Sequence, residues 1–169
     1  MLSTHALVLG GARSGKTRHA LRLAEAAGPA RLYVATAEAG DAEMADRIAR
    51  HRAERGRGWR TLEAPLDLAP AVAAAGVDAV LVDCLTLWLA NLMAAGRDPE
   101  AETAALLAAL AAAPAPVLLV SNEVGLGLVP ETPLGRRFRD AQGLLNQRVA
   151  AAVGRVDFIA AGLALPLKA

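Results

Sequence analysis

The sequence predicts an α/β fold in which a mainly parallel sheet carries helices on both faces. Short apolar runs alternate along the 169-residue chain with stretches of helical composition rich in Ala, Leu, Glu and Arg. The runs are apolar throughout rather than at every second residue, which is typical of parallel strands that are buried on both faces. The length predicts a single domain over residues 1–169.

Each predicted element follows from its composition. Because ligands of parallel sheets bind beyond the carboxyl ends of the strands, we expect functional residues directly after each apolar run. A Gly- and Pro-rich stretch at 125–133 predicts a loop near that edge. The predicted strands are 6–9, 31–35, 79–83, 117–121 and 156–160, and the predicted helices are 16–27, 41–55, 67–75, 86–95, 100–112 and 135–152.

Charge and cysteine content limit the partners and the compartment. The 18 basic and 17 acidic side chains give a net charge of +1, so neither nucleic acid nor a membrane surface is expected as a partner. A single cysteine, Cys84, and an N-terminus without a signal-peptide pattern predict a cytoplasmic protein. The longest uncharged apolar run contains Pro114 and Pro116, so no membrane span is expected.

A phosphate-binding loop is predicted between the first strand and the first helix. Residues 10–17 satisfy the pattern G-x-x-x-x-G-K-[ST] in the context that this pattern requires, which predicts a P-loop NTPase-like sheet. Lys16 is expected to reach the β- and γ-phosphates, and the Thr17 hydroxyl to bind Mg²⁺. Asp83, at the end of an apolar strand, is expected to hold the same metal; the alternative is that it caps the next helix, a role that does not exclude the metal. The predicted loop contacts are Gly10, Gly11, Ala12, Arg13, Ser14, Gly15, Lys16 and Thr17.

A basic stretch surrounds one of the three histidines. Residues 47–60 carry six arginines and one acid, a local charge of +5, so the rest of the chain carries +1 − 5 = −4. If this segment is helical, Met44, Ile48, His51 and Arg55 lie on one face, where a histidine is more often a packed core residue than a catalytic one. The neighbouring arginines disfavour a protonated imidazole, which leaves the neutral form that a nucleophile needs.

Motifs along nearly the whole chain resemble one enzyme family. In combination they are similar to the bifunctional adenosylcobinamide kinase/adenosylcobinamide-phosphate guanylyltransferase of cobalamin synthesis. The resemblance depends on several segments together, and the phosphate loop alone is less specific. The segments include GGARSGKTRHA (10–20), YVATA (33–37), RIARHR (47–52), WRTLE (59–63), LVDCLTLW (81–88), SNEVGLG (121–127) and FRD (138–140).

The resemblance implies two reactions. ATP or GTP first phosphorylates the hydroxyl of the aminopropanol arm of adenosylcobinamide. GMP then passes from GTP, through a GMP-histidine intermediate on His51, to adenosylcobinamide phosphate and gives adenosyl-GDP-cobinamide. Some relatives have two adjacent histidines where this chain has Arg50 and His51. The resemblance further implies a homotrimer and a corrinoid partner. The remaining nucleotide contacts that it implies are Ala35, Thr36, Ala37, Arg52, Ala53, Glu54, Arg55, Glu63 and Asp83.

Two other functions stay open from the residues alone. A small-metabolite kinase without guanylyltransferase activity would use the phosphate loop and Asp83 but leave His51 without a role. A nucleotide-controlled binding protein, an ATPase or GTPase switch, would use the basic stretch to hold a partner or nucleic acid. Of the other histidines, His19 is expected to be structural and His5 solvated. Five further polar residues have two explanations that the sequence supports equally: they bind the corrinoid or a second nucleotide, or they cap helices and face solvent. These residues are Asn122, Glu123, Arg136, Arg137 and Arg139.

Overall fold

A computed structural model describes residues 4–37 and 56–169, which share one seven-stranded sheet. The predicted helix 41–55, with His51, lies outside the described residues. The described elements are β1 (Ala6–Gly10), α1 (Lys16–Glu25), β2 (Arg31–Ala35), β3 (Trp59–Glu63), α2 (Leu68–Val72), β4 (Ala79–Asp83), α3 (Leu85–Ala94), α4 (Pro99–Ala112), β5 (Val117–Asn122), α5 (Pro133–Ala152), β6 (Arg155–Ala160) and β7 (Leu163–Lys168).

The strand order is β3-β2-β4-β5-β1-β6-β7, and the prediction of a mainly parallel sheet is confirmed. Strands β1 to β6 run parallel, and β7 pairs antiparallel with β6. In the central register, Gly10 of β1 pairs with Asn122 of β5, and Ala35 of β2 pairs with Asp83 of β4. The carboxyl ends of four strands therefore meet at one edge of the sheet.

Apolar clusters cover both faces of the sheet, which explains why the strand sequences are apolar at every position. All five residues of β1 are buried. Leu7 and Leu9 pack into the cluster formed with α2, α3, α4 and α5, whereas Val8 packs on the other face against Ala20 and Ala24 of α1. Successive strand residues face opposite layers, so a helix layer on each side leaves no polar face.

The sequence does not predict β3 and β7, which are the two edge strands. In β3, the exposed Arg60 and Glu63 interrupt the apolar pattern. Strand β7 is exposed over its whole length and contains Pro166, which an edge strand tolerates because not every backbone N–H must enter the ladder. The five described helices coincide with predicted ones apart from small displacements at their ends.

Within the two described ranges, no helix combines the length and the apolar character needed to cross a membrane.

Candidate active site

The loop between β1 and α1 has a backbone suited to phosphate. A Cβ added to Gly10 would collide with the carbonyl oxygen of Ile159, so only glycine fits against β6 there. Gly15, with a φ of 101°, is the N-cap of α1 and provides no side-chain cap, whereas α4 and α5 both have capping side chains. No side chain therefore competes with an anion for the first turn of α1, and the helix dipole also favours an anion there.

Lys16 lies under this loop, with a side chain that is only 8% exposed. Its Nζ donates a hydrogen bond of 2.5 Å to the carbonyl oxygen of Gly11, so the ammonium group reaches across the loop interior. The turn between β6 and β7 holds the loop from the other side, because the Gly162 N–H donates to the Ser14 carbonyl at 2.9 Å. A desolvated cation inside a loop of N–H groups is suited to a polyanion.

Thr17 and Asp83 meet where α1 begins beside the end of β4. The Thr17 hydroxyl donates to Oδ2 of Asp83 at 2.9 Å, and the Tyr33 hydroxyl donates to the same oxygen at 2.9 Å. The N-cap of α3 is Cys84 and makes no side-chain capping bond. The carboxylate of Asp83 thus faces the phosphate loop, and it is not the N-cap residue of the next helix.

The donor set around Thr17 and Asp83 fits magnesium bound together with a nucleotide. Among residues 4–37 and 56–169, no group of three or more His, Cys, Asp or Glu side chains is placed to hold a metal by itself. Mg²⁺ usually takes one or two carboxylates together with substrate phosphates and waters. A hydroxyl oriented by its hydrogen bond to a carboxylate matches that requirement.

Thr36 joins the ends of β2 and β4 directly beside Asp83. The Thr36 side chain is fully buried, its hydroxyl donates to the carbonyl of Cys84 at 2.8 Å, and the Cys84 N–H donates back to it at 2.7 Å. Asn91 of α3 donates to the Thr36 carbonyl at 2.8 Å. The Thr36 hydroxyl is therefore engaged with backbone, and it fixes the segment that precedes residue 38.

The structure brings most of the predicted site residues to one edge of the sheet. Glu63 is exposed at the end of β3 and pairs in register with Ala35, so it lies beside the exit of β2. The predicted residues at this edge are Gly10, Gly11, Ala12, Arg13, Ser14, Gly15, Lys16, Thr17, Ala35, Thr36, Ala37, Glu63 and Asp83, while His51, Arg52, Ala53, Glu54 and Arg55 lie outside the described residues.

The sequence does not predict a network of buried amide side chains at the end of β5. Gln142 is fully buried and donates to Ser121 Oγ at 2.9 Å and to Asn146 Oδ1 at 3.0 Å. Asn146 in turn donates to the carbonyl of Asn122 at 3.1 Å. The signal in the sequence is two amides four residues apart on the buried face of a helix. The network fixes the end of β5 next to the phosphate loop.

The two described histidines both have structural contacts. His19 Nε2 lies 2.8 Å from Asp157 Oδ2, and Arg22 lies 3.3 Å from His19 Nδ1. A guanidinium can only donate, so Nδ1 accepts and Nε2 carries the proton toward Asp157. His5 was expected to be solvated, and this is wrong: it is half-buried, its Nδ1 accepts from the Val117 N–H at 3.0 Å, and burial lowers its pKa.

Cys84, the chain's single cysteine, is expected to be unreactive in the folded protein. Burial, together with the charge of Asp83, raises the pKa of its thiol from 9.0 to about 11. The folded state therefore favours the neutral thiol. The contribution of this group to the free energy of unfolding is complete below pH 9.0 and is lost as the pH rises to about 11. Labelling with a maleimide near pH 7 should be slow until denaturant is added, and Cys84→Ala should remove this part of the alkaline decline in unfolding free energy. Fast labelling of the native protein would contradict the burial.

One edge of the sheet carries a glycine-rich loop before a helix without a side-chain cap, a buried lysine, and a hydroxyl hydrogen-bonded to a carboxylate. These features place the protein in the P-loop class of nucleotide-binding proteins. The family described as cobinamide kinase / cobinamide phosphate guanyltransferase (CobU) matches residues 6–167. The chain belongs to this family, and the expected kinase and guanylyltransferase activities, with a corrinoid as substrate, are confirmed at the level of the family.

Relatives of known function match the chain over nearly its full length. It is 54% identical over 168 residues to the bifunctional adenosylcobalamin biosynthesis protein CobP of Pseudomonas aeruginosa, covering 96% of both chains. It is 43% identical over 179 aligned positions to CobU of Salmonella typhimurium, covering 96% of this chain and 98% of that one. Among solved structures, the P4 protein of bacteriophage phi6 in complex with ADP is 17% identical with a TM-score of 0.46, and the alignment covers 95% of this chain and 52% of that protein.

Proposed function

We propose that the two activities of the family share one nucleotide site on the phosphate loop. The observation that carries this proposal is the convergence of Lys16, Thr17 and Asp83 at the start of α1. In the kinase step, the hydroxyl oxygen of the corrinoid's aminopropanol arm attacks the γ-phosphorus of ATP or GTP, the nucleoside diphosphate leaves with the electron pair of the broken bond, and the hydroxyl proton is released. The loop N–H groups and Lys16 stabilise the charge on the transferred phosphoryl group and on the leaving diphosphate.

In the second reaction, His51 divides one guanylyl transfer into two simpler displacements. An imidazole nitrogen attacks the α-phosphorus of GTP, a phosphorus–nitrogen bond forms, and pyrophosphate leaves with its electron pair. A phosphate oxygen of the phosphorylated corrinoid then attacks the same phosphorus, and the imidazole is released. Arg52, Ala53, Glu54, Arg55, Ala35, Thr36, Ala37 and Glu63 are proposed as further contacts to the nucleotide.

Thr17 and Asp83 are proposed to hold Mg²⁺ beside the nucleotide phosphates. The bound ion would neutralise phosphate charge, which is its usual contribution to phosphoryl transfer. The support is the hydrogen bond of 2.9 Å that orients the Thr17 hydroxyl toward the Asp83 carboxylate.

Replacing Asp83 with asparagine is expected to raise the Mg²⁺ concentration needed for half-maximal kinase rate by roughly 10- to 100-fold. A carboxylate strengthens metal binding whether it binds the ion itself or orients another ligand of the ion. A Mg²⁺ titration of the initial rate measures it. Tyr33→Phe is the matched control, since it removes one donor to the same oxygen and leaves the carboxylate charge in place. Equal Mg²⁺ requirements in Asp83→Asn and in the unaltered protein would remove Asp83 from the metal site.

A double-label experiment tests the shared site as a whole. The protein is incubated with adenosylcobinamide and GTP labelled either at the γ- or at the α-phosphate. We expect the γ-label in the cobinamide phosphate, and the α-label first on the protein and then in the GDP-cobinamide product. A γ-label in the product without any α-label on protein or product would leave the small-metabolite kinase as the better description.

The remaining expectations extend the proposal beyond the site. The family resemblance supports a homotrimer, and the near-zero net charge gives no reason to expect nucleic acid as a partner. A single buried cysteine is in keeping with a reducing, cytoplasmic location. We also propose that residues 1–169 act as one domain.

A further inference from the structure

The loop between β5 and α5 exposes an unusual amount of apolar side chain. Leu126 is 83% exposed, Leu128 97%, Val129 67%, and Leu134 in the first turn of α5 is 64% exposed. We call these four residues the apolar loop surface. Single exposed leucines are ordinary on proteins, whereas four large apolar residues exposed within nine positions are the kind of clustered exposure that marks a binding surface.

The apolar loop surface begins beside the phosphate loop. The Glu123 N–H donates to the carbonyl of Gly10 at 3.1 Å, so the chain leaving β5 is bonded to the first residue of the phosphate loop. Gly10 and Asn122 are also register partners in the sheet. Gly125, where the loop toward Leu126 starts, lies only two positions after Glu123, so the segment that carries the surface leaves the sheet beside the phosphate loop.

Arginines of α5 form hydrogen bonds to the backbone of this loop and hold it in position. Arg136 donates to the carbonyls of Pro130 at 3.0 Å and Glu131 at 2.7 Å. Arg139 donates to the carbonyl of Gly125. Two of the arginines considered as ligands for the corrinoid or a nucleotide therefore bind loop backbone. The leucines are exposed because the loop is bonded in that shape, and a preordered surface loses less entropy when it binds a ligand.

We infer that the apolar loop surface is the docking site for the corrin ring of the cobinamide substrate. This inference rests on the proposed function. A methyl-substituted macrocycle offers broad apolar faces, and the reacting arm hangs from its edge, so the ring must lie near the nucleotide phosphates. This loop leaves β5 beside the phosphate loop. Arg137, exposed one helical turn from Leu134, places a cation at the margin, which complements the phosphate that the arm carries in the second reaction.

The exposed leucines of β7 give a contrasting surface. Leu163, Leu165 and Leu167 are 75%, 59% and 58% exposed, and β7 is the strand at the far edge of the sheet. Because β7 runs antiparallel to β6, Leu167 lies toward the amino ends of the parallel strands, away from the phosphate loop. A leucine there matches the loop leucines in chemistry and is not positioned to meet a substrate at the carboxyl edge.

The test is a pair of surface variants in the full-length protein. Leu126→Ser combined with Leu128→Ser is expected to raise the KM for adenosylcobinamide roughly tenfold or more, because two large apolar contacts are lost, while the KM for GTP stays within about twofold. Leu167→Ser should change neither value. The affinity for adenosylcobinamide, measured by ultrafiltration and the visible absorption of the corrinoid, should weaken by the same factor. The molecular mass of the double variant in solution should be unchanged.

Each alternative outcome is distinct. An unchanged cobinamide KM in the double variant, with the unaltered protein active, overturns the docking site and leaves the proposed function standing. An unaltered protein that does not phosphorylate adenosylcobinamide refutes the proposed function itself. A rise in both KM values would assign the loop to the nucleotide site. A smaller mass for the double variant than for Leu167→Ser would show that the surface contacts a second copy of the chain, which also overturns the proposal.

Discussion

Lys16→Ala is expected to lower the rates of both phosphoryl transfer and guanylyl transfer by roughly three orders of magnitude. The side chain is nearly buried within the glycine loop and donates to the Gly11 carbonyl, so its charge lies where the triphosphate is proposed to sit. In that site a single cation acts on charge that develops during both displacements. Initial rates with labelled GTP and adenosylcobinamide, measured at saturating nucleotide, give the two values separately.

The sequence supplies a matched control for Lys16, because its other lysine is Lys168. Lys168 Nζ donates to the carbonyls of Ala150 at 3.1 Å and Val153, at the end of α5. Lys168→Ala should therefore reduce the unfolding free energy by about 1 kcal/mol and leave both rates unchanged. Lys16→Ala also loses a hydrogen bond to a backbone carbonyl and should be destabilised by a similar amount, but it should lose both rates as well. Comparable activity loss in both variants would mean that the effect of Lys16 is on folding and not on the nucleotide.

Much of the site is predictable because it depends on short segments with strict local rules. The phosphate loop is read from the spacing of Gly10, Gly15 and Lys16, and the position of Asp83 from the apolar strand before it. The edge strands β3 and β7 are not predictable in this way, since their neighbours on one side are solvent and their sequences lose the apolar pattern. Pro166 in particular argues against a strand until its place at the edge is known.

Contacts between distant segments are also invisible in the sequence. The bond of Thr17 to Asp83 joins residues 66 positions apart, and that of His19 to Asp157 joins residues 138 positions apart. Asp157 looks like a polar interruption of a strand, and only the register of β6 shows that it faces α1. Similarly, Arg136 has the appearance of an anion ligand in the sequence, and its hydrogen bonds to Pro130 and Glu131 depend on the path of the loop.

The contacts of the described histidines narrow the choice of nucleophile. The His19 ring is engaged on both sides, by Asp157 and Arg22, and carries its proton on the nitrogen that faces a buried carboxylate. His5 lies before β1, at the amino end of the parallel strands and opposite the phosphate loop. Neither is placed to attack the α-phosphorus of a nucleotide at the carboxyl edge. This supports His51, the third histidine of the chain, as the residue that carries GMP.

His51→Ala is accordingly expected to abolish the covalent adduct formed with α-labelled GTP, and to lower guanylyl transfer by about three orders of magnitude or more. Phosphorylation of adenosylcobinamide should persist, because that step needs the phosphate loop and no covalent histidine. In the unaltered protein the adduct should be labile in acid and stable in base, as expected for a phosphorus–nitrogen bond. His5→Ala is the matched control and should retain the adduct. An adduct that survives in His51→Ala would place the nucleophile elsewhere, and its loss in His5→Ala would show that the assay reports folding.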